Sequence, residues 1–177
     1  MGLLSFNFPV ILPVFAEKTF HGTGGTYSLM SAVLSAGSVL GSLAVGKVPH
    51  PRRQYLVVTS LAFGIALGAT ALAPTVPIAC VLLVAAGAAG FSFVTLASVA
   101  LQLHAAPEFR GRVMALWVFV FIGTTPIGSV VMGWITQGWG PRGALWVGAV
   151  AAIVAAGGAF LIRTPIRTDD ELETRFR

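Results

Sequence analysis

Residues 78–103 read IACVLLVAAGAAGFSFVTLASVALQL, an apolar stretch without Asp, Glu, Lys or Arg. About 20 apolar residues are enough to cross the hydrocarbon core of a bilayer as a helix. A segment in lipid must satisfy its own backbone hydrogen bonds, and a helix does so within a single segment. The stretch therefore predicts a transmembrane helix.

The same pattern recurs along the whole chain. Of its 177 residues, 56% are hydrophobic and 10% charged, and the mean hydropathy is +0.87. A soluble domain carries about 25% charged residues, so a soluble protein is excluded. The uncharged gaps predict six transmembrane spans over residues 1–16, 26–46, 55–73, 78–103, 113–137 and 143–162. We therefore predict an all-α polytopic membrane domain over 1–163, with a short first span that resembles the later part of a helix, and a charged cytoplasmic tail over 164–177.

The basic residues predict the orientation of these spans. One side of the predicted membrane holds only Lys18 and Arg142, and the other holds the remaining nine: Lys47, Arg52, Arg53, Arg110, Arg112, Arg163, Arg167, Arg175 and Arg177. Basic loops stay cytoplasmic, so both termini are expected in the cytoplasm of a multi-pass membrane protein. This placement explains the isoelectric point of about 10.4 without a nucleic-acid partner.

A short repeat links the two halves of the chain. Residues 40–46 read LGSLAVG and residues 127–133 read IGSVVMG. They lie in the middle spans of two three-helix groups that cross the membrane in opposite directions. Such a 3+3 inverted repeat is a recurring transporter arrangement, although two similar packing motifs would give the same match. Small residues let helices approach closely, and the predicted packing positions are Gly37, Gly41, Gly128 and Gly133.

Polar residues inside the spans are the candidates for function. Span two carries a serine stripe at spacings of three and four, which places it on one helix face; it consists of Ser28, Ser31, Ser35, Ser38 and Ser42. This stripe fits either structural hydrogen bonding or cavity lining. Pro126 in span five favours a kink, because it lacks a backbone donor. The candidates for cavity lining are Asn7, Ser31, Ser35, Thr95 and Thr124.

Several classes of protein lack support in the sequence. Cys80 is the single cysteine, no Asp or Glu lies inside a span, and the histidines fall at predicted loops. Neither a zinc-protease motif nor a phosphate-binding loop is present. We therefore expect no enzyme activity, catalytic residue, metal or cofactor.

Several segments together resemble the C-terminal half of a major facilitator superfamily transporter, closest to bacterial enterobactin-exporter-like and multidrug efflux members. They are residues 7–16 (NFPVILPVFA), 20–27 (FHGTGGTY), 37–46 with Arg52 and Arg53, 102–117 with RGRVM at 110–114, and 123–133 (GTTPIGSVVMG). The resemblance implies that the six spans correspond to helices seven to twelve and that the protein lies in the plasma membrane, here the bacterial inner membrane. It further implies that the first two helices of each triplet line a central cavity, while the third is peripheral.

In that family, transport works by alternating access between two six-helix halves. The resemblance thus implies one half of a proton-driven exporter of small amphipathic molecules, of the drug or siderophore class, with a missing or separate N-terminal half. Arg110 and Arg112 are the candidates for its cytoplasmic gate. The expected partners are the lipid bilayer, a small-molecule substrate, and either that second half or a homodimer. A truncated non-transporting remnant and a self-associating six-span structural protein are the alternatives.

Overall fold

The structure is a computed structural model that describes residues 6–46, 48 and 53–161. Over these residues the chain is helical and contains no β-strand, as the sequence predicts. Its helices are α1 (Phe8–Phe20), α2 (Gly24–Val45), α3 (Arg53–Leu72), α4 (Val76–His104), α5 (Arg110–Gly123), α6 (Thr125–Gly138) and α7 (Gly140–Leu161), with a 3-10 turn at Pro107–Phe109. The predicted tail over 164–177 lies outside the described residues.

Five segments of the described chain are long and apolar enough to cross a membrane. They are α2, α3, α4, the combined α5–α6 segment and α7. Helix α1 has 13 residues, or about 20 Å at 1.5 Å per residue. It continues to Phe20, past the predicted end of span one, and so includes Glu17 and Lys18. A cation in the last turn is favourable there, because it faces the negative end of the helix dipole.

The turns assign the helices to two ends of the bundle. The α1–α2, α3–α4 and α6–α7 turns lie at one end, which we name the Lys18 end, and the α2–α3 and α4–α5 connections lie at the other, the Arg53 end. At the Lys18 end, Nη2 of Arg142 donates a hydrogen bond to the carbonyl of Ala73 at 3.1 Å. This bond joins the start of α7 to the α3–α4 turn.

The contacts between helices follow the predicted inverted repeat. Helix α2 packs on α4, α1 packs on α6, and α3 packs on α7. In the repeat, α1 corresponds to α4, α2 to the α5–α6 segment, and α3 to α7. The α2–α4 contact is therefore equivalent to the α1–α6 contact, and the α3–α7 contact is equivalent to itself. The α1–α7 contact likewise becomes the α3–α4 contact. The arrangement of three helices plus three helices therefore agrees with the 3+3 prediction.

Glycines bring α2 and α4 into backbone contact. A Cβ added at Gly37 would collide with the Val84 carbonyl, and one added at Gly41 would collide with the Ala88 carbonyl. From the other side, a Cβ at Gly87 would collide with the carbonyl of Leu34. Without side chains between them, these helices gain close van der Waals contact, which is what associates helices in lipid.

The third helices of the two triplets form a separate close pair. A Cβ at Gly64 of α3 would lie 2.7 Å from Cγ1 of Ile153 and 3.0 Å from the Ala149 carbonyl oxygen of α7. Nearby, the Ser60 hydroxyl donates to the Ala152 carbonyl at 2.9 Å. Small residues and one interhelical hydrogen bond therefore hold α3 against α7.

We predict that Gly41→Ala destabilises the protein, although alanine is the better helix former. The added methyl group must push α2 away from α4, and such overpacking costs about 1–3 kcal/mol. The measurement is thermal unfolding of the purified protein in detergent.

The matched control is Gly133→Ala in α6, where an added Cβ meets no described heavy atom within 4 Å. There the alanine should be neutral or stabilising by up to about 1 kcal/mol, because glycine has the larger unfolded-state entropy. Equal melting temperatures for the two variants would contradict the close α2–α4 contact.

Candidate functional site

The α5–α6 segment is interrupted at Thr124, close to the predicted kink. Pro126 has no N–H to donate to the carbonyl of Ile122, so the ladder lacks one bond there, while Thr124 keeps helical dihedrals and accepts a hydrogen bond from the Gly128 N–H at 3.0 Å. The Thr124 hydroxyl donates to the Val120 carbonyl at 2.8 Å, and the Thr125 hydroxyl donates to the Phe121 carbonyl at 3.2 Å. The interruption is thus made by the proline and bordered by two threonines that bond within their own segment.

Asn7 and Ser129 form a polar pair between α1 and α6. The Ser129 hydroxyl donates to Oδ1 of Asn7 at 2.7 Å, and Asn7 is 1% exposed. Asn7 precedes Lys18 by eleven residues, and Ser129 precedes Gly138 by nine. At about 1.5 Å per residue, both lie roughly 14–17 Å from the Lys18 end, near the middle of a core about 30 Å thick.

The pair has a counterpart in the other triplet. The Ser92 hydroxyl of α4 donates to the carbonyl of Gly41 in α2 at 3.0 Å. Gly41 belongs to one copy of the sequence repeat, and Ser129 belongs to the other. Each Gly-Ser pair of the repeat therefore lies where a middle helix crosses the first helix of the opposite triplet, and each crossing contains a hydrogen bond.

An aromatic cluster centred on Phe6 adjoins the Asn7–Ser129 pair. The Phe6 ring stacks on Phe63 of α3, with 5.0 Å between centroids, and meets Phe91 of α4 at 5.9 Å and Phe121 of α5 at 5.7 Å. Trp117 in turn stacks on Phe121 at 5.7 Å. Aromatic pairs in these geometries add stability beyond the area they bury. The cluster connects the start of α1 to three other helices beside the Thr124 interruption.

The serine stripe of α2 has two environments. Ser28 and Ser35 are exposed, whereas Ser38 is buried against α4, within 3.0 Å of the Cβ position of Gly87. Their hydroxyls donate to carbonyls four residues earlier on α2; for Ser35 the acceptor is Ser31, at 2.8 Å. The half of the stripe toward the Lys18 end is thus open, and the half toward the Arg53 end takes part in helix packing.

The five predicted cavity residues lie on α1, α2, α4 and the α5–α6 segment. Asn7 is buried, Ser35 is exposed, and Ser31, Thr95 and Thr124 are half-buried. Hydrogen bonds join Ser35 to Ser31 and Asn7 to Ser129. Asn7 belongs to the midplane pair, and Thr124 lies five residues before Ser129. Ser31 and Ser35 lie on α2, whereas Thr95 lies on α4.

The predicted gate residues make local contacts. Arg110 donates through Nε to the Ala105 carbonyl at 3.3 Å, and the Arg112 guanidinium lies 5.8 Å from the centroid of the Phe109 ring. Both side chains are exposed at the Arg53 end. They remain available to a partner or to lipid headgroups.

The predicted packing glycines have different surroundings. Gly37 and Gly41 contact α4, and Gly128 is buried in α6 beside Ser129. Gly133 is half-buried, and the described residues leave open space at its Cβ position.

Sequence reasoning missed the aromatic cluster and the Asn7–Ser129 bond. Phenylalanines are scattered among many apolar residues, and only the packing of helices brings Phe6, Phe63 and Phe121 together. The copy of Gly-Ser at 128–129 was the available signal for the bond. This Gly-Ser pair indicated a site of close helix packing but not which helix would pack there.

Comparisons with known proteins identify the fold family. The sequence pattern of the Major Facilitator Superfamily matches residues 1–176. Comparisons with curated proteins and with solved structures gave no significant match.

We predict a measurable energetic coupling between Asn7 and Ser129. In a double-mutant cycle of Asn7→Ala and Ser129→Ala, the coupling should be about 0.6 kcal/mol, and at most about 1.7, as for other hydrogen bonds between membrane helices. The unfolding free energies in detergent or mixed micelles give this value.

A second cycle between Asn7→Ala and Ser98→Ala is the control, because the Ser98 hydroxyl donates to the Val94 carbonyl of its own helix. Its coupling should be close to zero. Additive effects in both cycles would show that the Asn7–Ser129 bond contributes no stability.

Proposed function

Because the chain belongs to the Major Facilitator Superfamily, a family of membrane transporters, we propose that it forms one half of a secondary transporter for small amphipathic molecules. In this proposal its six spans act as helices seven to twelve of an exporter, and a second six-helix unit completes the transport path. The same proposal assigns the Arg53 end to the cytoplasm of a bacterial inner-membrane protein, following the positive-inside rule.

The observation that carries the proposal is the midplane pair beside an interrupted helix. Secondary transporters bind substrate near the bilayer midplane, at the interface of inverted repeats, and often at discontinuous helices. Asn7 and Ser129 lie at that depth, they come from opposite triplets, and Pro126 removes a backbone hydrogen bond of the helix three residues before Ser129. The midplane depth, the repeat interface and a weakened helix therefore meet in one place.

The faces without a partner indicate where the second unit packs. None of the described α5 residues is buried, and α2 exposes a continuous face that includes Ser28, Ser35, Val39 and Leu43. The middle helices of both triplets are therefore the least covered by their own half. We assign the second unit to these faces.

The side chains on these helices favour an amphipathic substrate. Serine and threonine hydroxyls are mixed with apolar side chains and with the rings around Phe6, and residues 24–45 and 113–138 contain no Asp, Glu, Lys or Arg. Pockets of this kind bind apolar molecules and orient them through a few polar contacts. The drug or siderophore class expected from the sequence fits these properties.

Proton coupling requires a group that these spans do not supply. The acidic residues before the tail are Glu17, near the Lys18 end, and Glu108, in the α4–α5 connection. A proton relay in a membrane uses ionisable residues within the spans. We therefore place the coupling carboxylate in the second unit and assign Arg110 and Arg112 to the cytoplasmic gate.

We predict proton-driven efflux of an amphipathic fluorescent dye when the chain is reconstituted with a second six-helix unit. One preparation contains only copies of this chain, and another adds the N-terminal half of a full-length family member. Dye efflux above that of empty vesicles in either preparation supports the proposal and shows which partner completes the path. Efflux in neither preparation would contradict it.

The accompanying variants test whether α2 lines the path. Ser35→Leu should reduce efflux about ten-fold, within the range that small changes in a binding pocket produce. Thr59→Leu on α3 is the matched control, because both hydroxyls donate to a carbonyl four residues earlier at 2.8 Å. Equal losses would count against a cavity beside α2.

A further inference from the structure

An apolar groove of about 500 Å³ runs along the outer face of α7. Its lining residues are Trp139, Gly143, Trp146, Val147, Val150, Ala151 and Val154. They follow the spacing of one helix face and extend over fifteen residues, which is roughly 22 Å. That length accommodates an acyl chain, which spans about half of a 30 Å hydrocarbon core.

Two tryptophans border the groove, and each lies next to a glycine. A Cβ at Gly143 would lie 2.8 Å from Cβ of Trp139, so the glycine makes room for the tryptophan. The ring of Trp146 lies 3.3 Å from the Cβ position of Gly68 on α3. Tryptophan rings favour the boundary between acyl chains and headgroups. The groove therefore begins at the depth of the headgroups and leads into the hydrocarbon core.

A polar cleft of about 350 Å³ adjoins the groove at the Lys18 end. Its lining residues are Lys18, Thr19, Trp139, Gly140, Pro141 and Arg142. Trp139 belongs to both features. A molecule that follows the groove toward the Lys18 end thus reaches two cations and a hydroxyl.

The charges of the cleft favour an anion. Lys18 and Arg142 are both exposed, and the bond from Arg142 to the Ala73 carbonyl holds its guanidinium in place while other donors stay available. Glu17 is the nearest acid along the chain, and it is not among the lining residues. The cleft therefore presents a net positive charge next to an apolar groove.

We propose that the groove and the cleft together form a binding site for an anionic phospholipid. One acyl chain lies between Trp139 and Trp146 along α7, and the phosphate contacts Lys18 and Arg142 at the Lys18 end. A zwitterionic lipid would fill the groove equally well, but its cationic headgroup would oppose the charge of the cleft. This proposal holds for the membrane-embedded chain whether or not it transports a substrate.

Quenching of tryptophan fluorescence by brominated lipids tests the site directly. The reporter carries Trp117→Phe and Trp134→Phe, so that its fluorescence comes from Trp139 and Trp146. Reconstituted into phosphatidylcholine vesicles, it is titrated with phosphatidylglycerol or phosphatidylcholine carrying the same brominated acyl chains. Half-maximal quenching should require about 25-fold less phosphatidylglycerol than phosphatidylcholine, because each of the two basic residues near the surface contributes a factor of about five to anionic-lipid binding.

Single substitutions separate the headgroup contact from the groove. Lys18→Gln should reduce the preference for phosphatidylglycerol about five-fold, whereas Arg53→Gln at the opposite end should leave it unchanged. Ala151→Leu, which narrows the groove, should weaken quenching by both lipids, and Ala85→Leu on the exposed side of α4 should not. The side chains of Lys18 and Ala151 lie outside the buried core, so Lys18→Gln and Ala151→Leu are expected to fold.

The result that overturns the proposal is equal quenching by the two lipids, since that describes an ordinary annular lipid layer. A preference for phosphatidylglycerol that survives Lys18→Gln and Arg142→Gln together would also overturn it. A preference lost in these variants and kept in Arg53→Gln would establish the headgroup contact.

Discussion

The pairing of polar groups away from water governs this structure. In hydrocarbon, an unpaired backbone or hydroxyl group costs several kcal/mol. Many described hydroxyls therefore donate to a carbonyl four residues earlier, as those of Ser35 and Thr59 do. The hydroxyls of Ser60, Ser92 and Ser129 instead bond to a distant part of the chain. Helices can approach closely enough for such bonds only where side chains are small. Gly41 and Gly64 meet this requirement, so the same residues set both the packing of the helices and the placement of their polar contacts.

This constraint also explains why the candidate site lies at the middle of the bundle. The Gly-Ser repeat places a small residue and a hydroxyl at each crossing between a middle helix and the first helix of the opposite triplet. At the α2–α4 crossing the Ser92 hydroxyl bonds to the backbone carbonyl of Gly41, and the helices are too close to admit another group. At the α1–α6 crossing the partner is the Asn7 side chain, next to the helix interruption at Thr124. A side-chain amide can exchange partners without opening a helix, which makes the second crossing the better place for a ligand.

Local properties of the sequence predicted the helices well. Each charged residue is excluded from lipid by its own hydration, independently of distant contacts, so the uncharged residues 55–73 predicted a helix close to α3 at 53–72. Pro126 likewise accounts for the nearby interruption at Thr124. Contacts between distant residues were not predictable in this way. The spacing of the serine stripe predicted that its members share one face of α2. The crossing of α2 over α4 nevertheless buries Ser38 and leaves Ser35 exposed. The ring contacts of Phe6 and the Arg142–Ala73 bond likewise depend on how α1, α3 and α7 are arranged.

In the proposed transporter, the open face of α2 borders a water-accessible path once the second unit is bound. Reaction with a hydrophilic maleimide tests it, using Ser35→Cys and Ile65→Cys in a Cys80→Ala background. Both side chains are exposed in this half, on α2 and on the peripheral helix α3. The cysteine at position 35 should react at least about ten-fold faster than the cysteine at position 65 in the completed transporter, because thiolate formation requires water. Equal rates, or faster reaction at position 65, would contradict it.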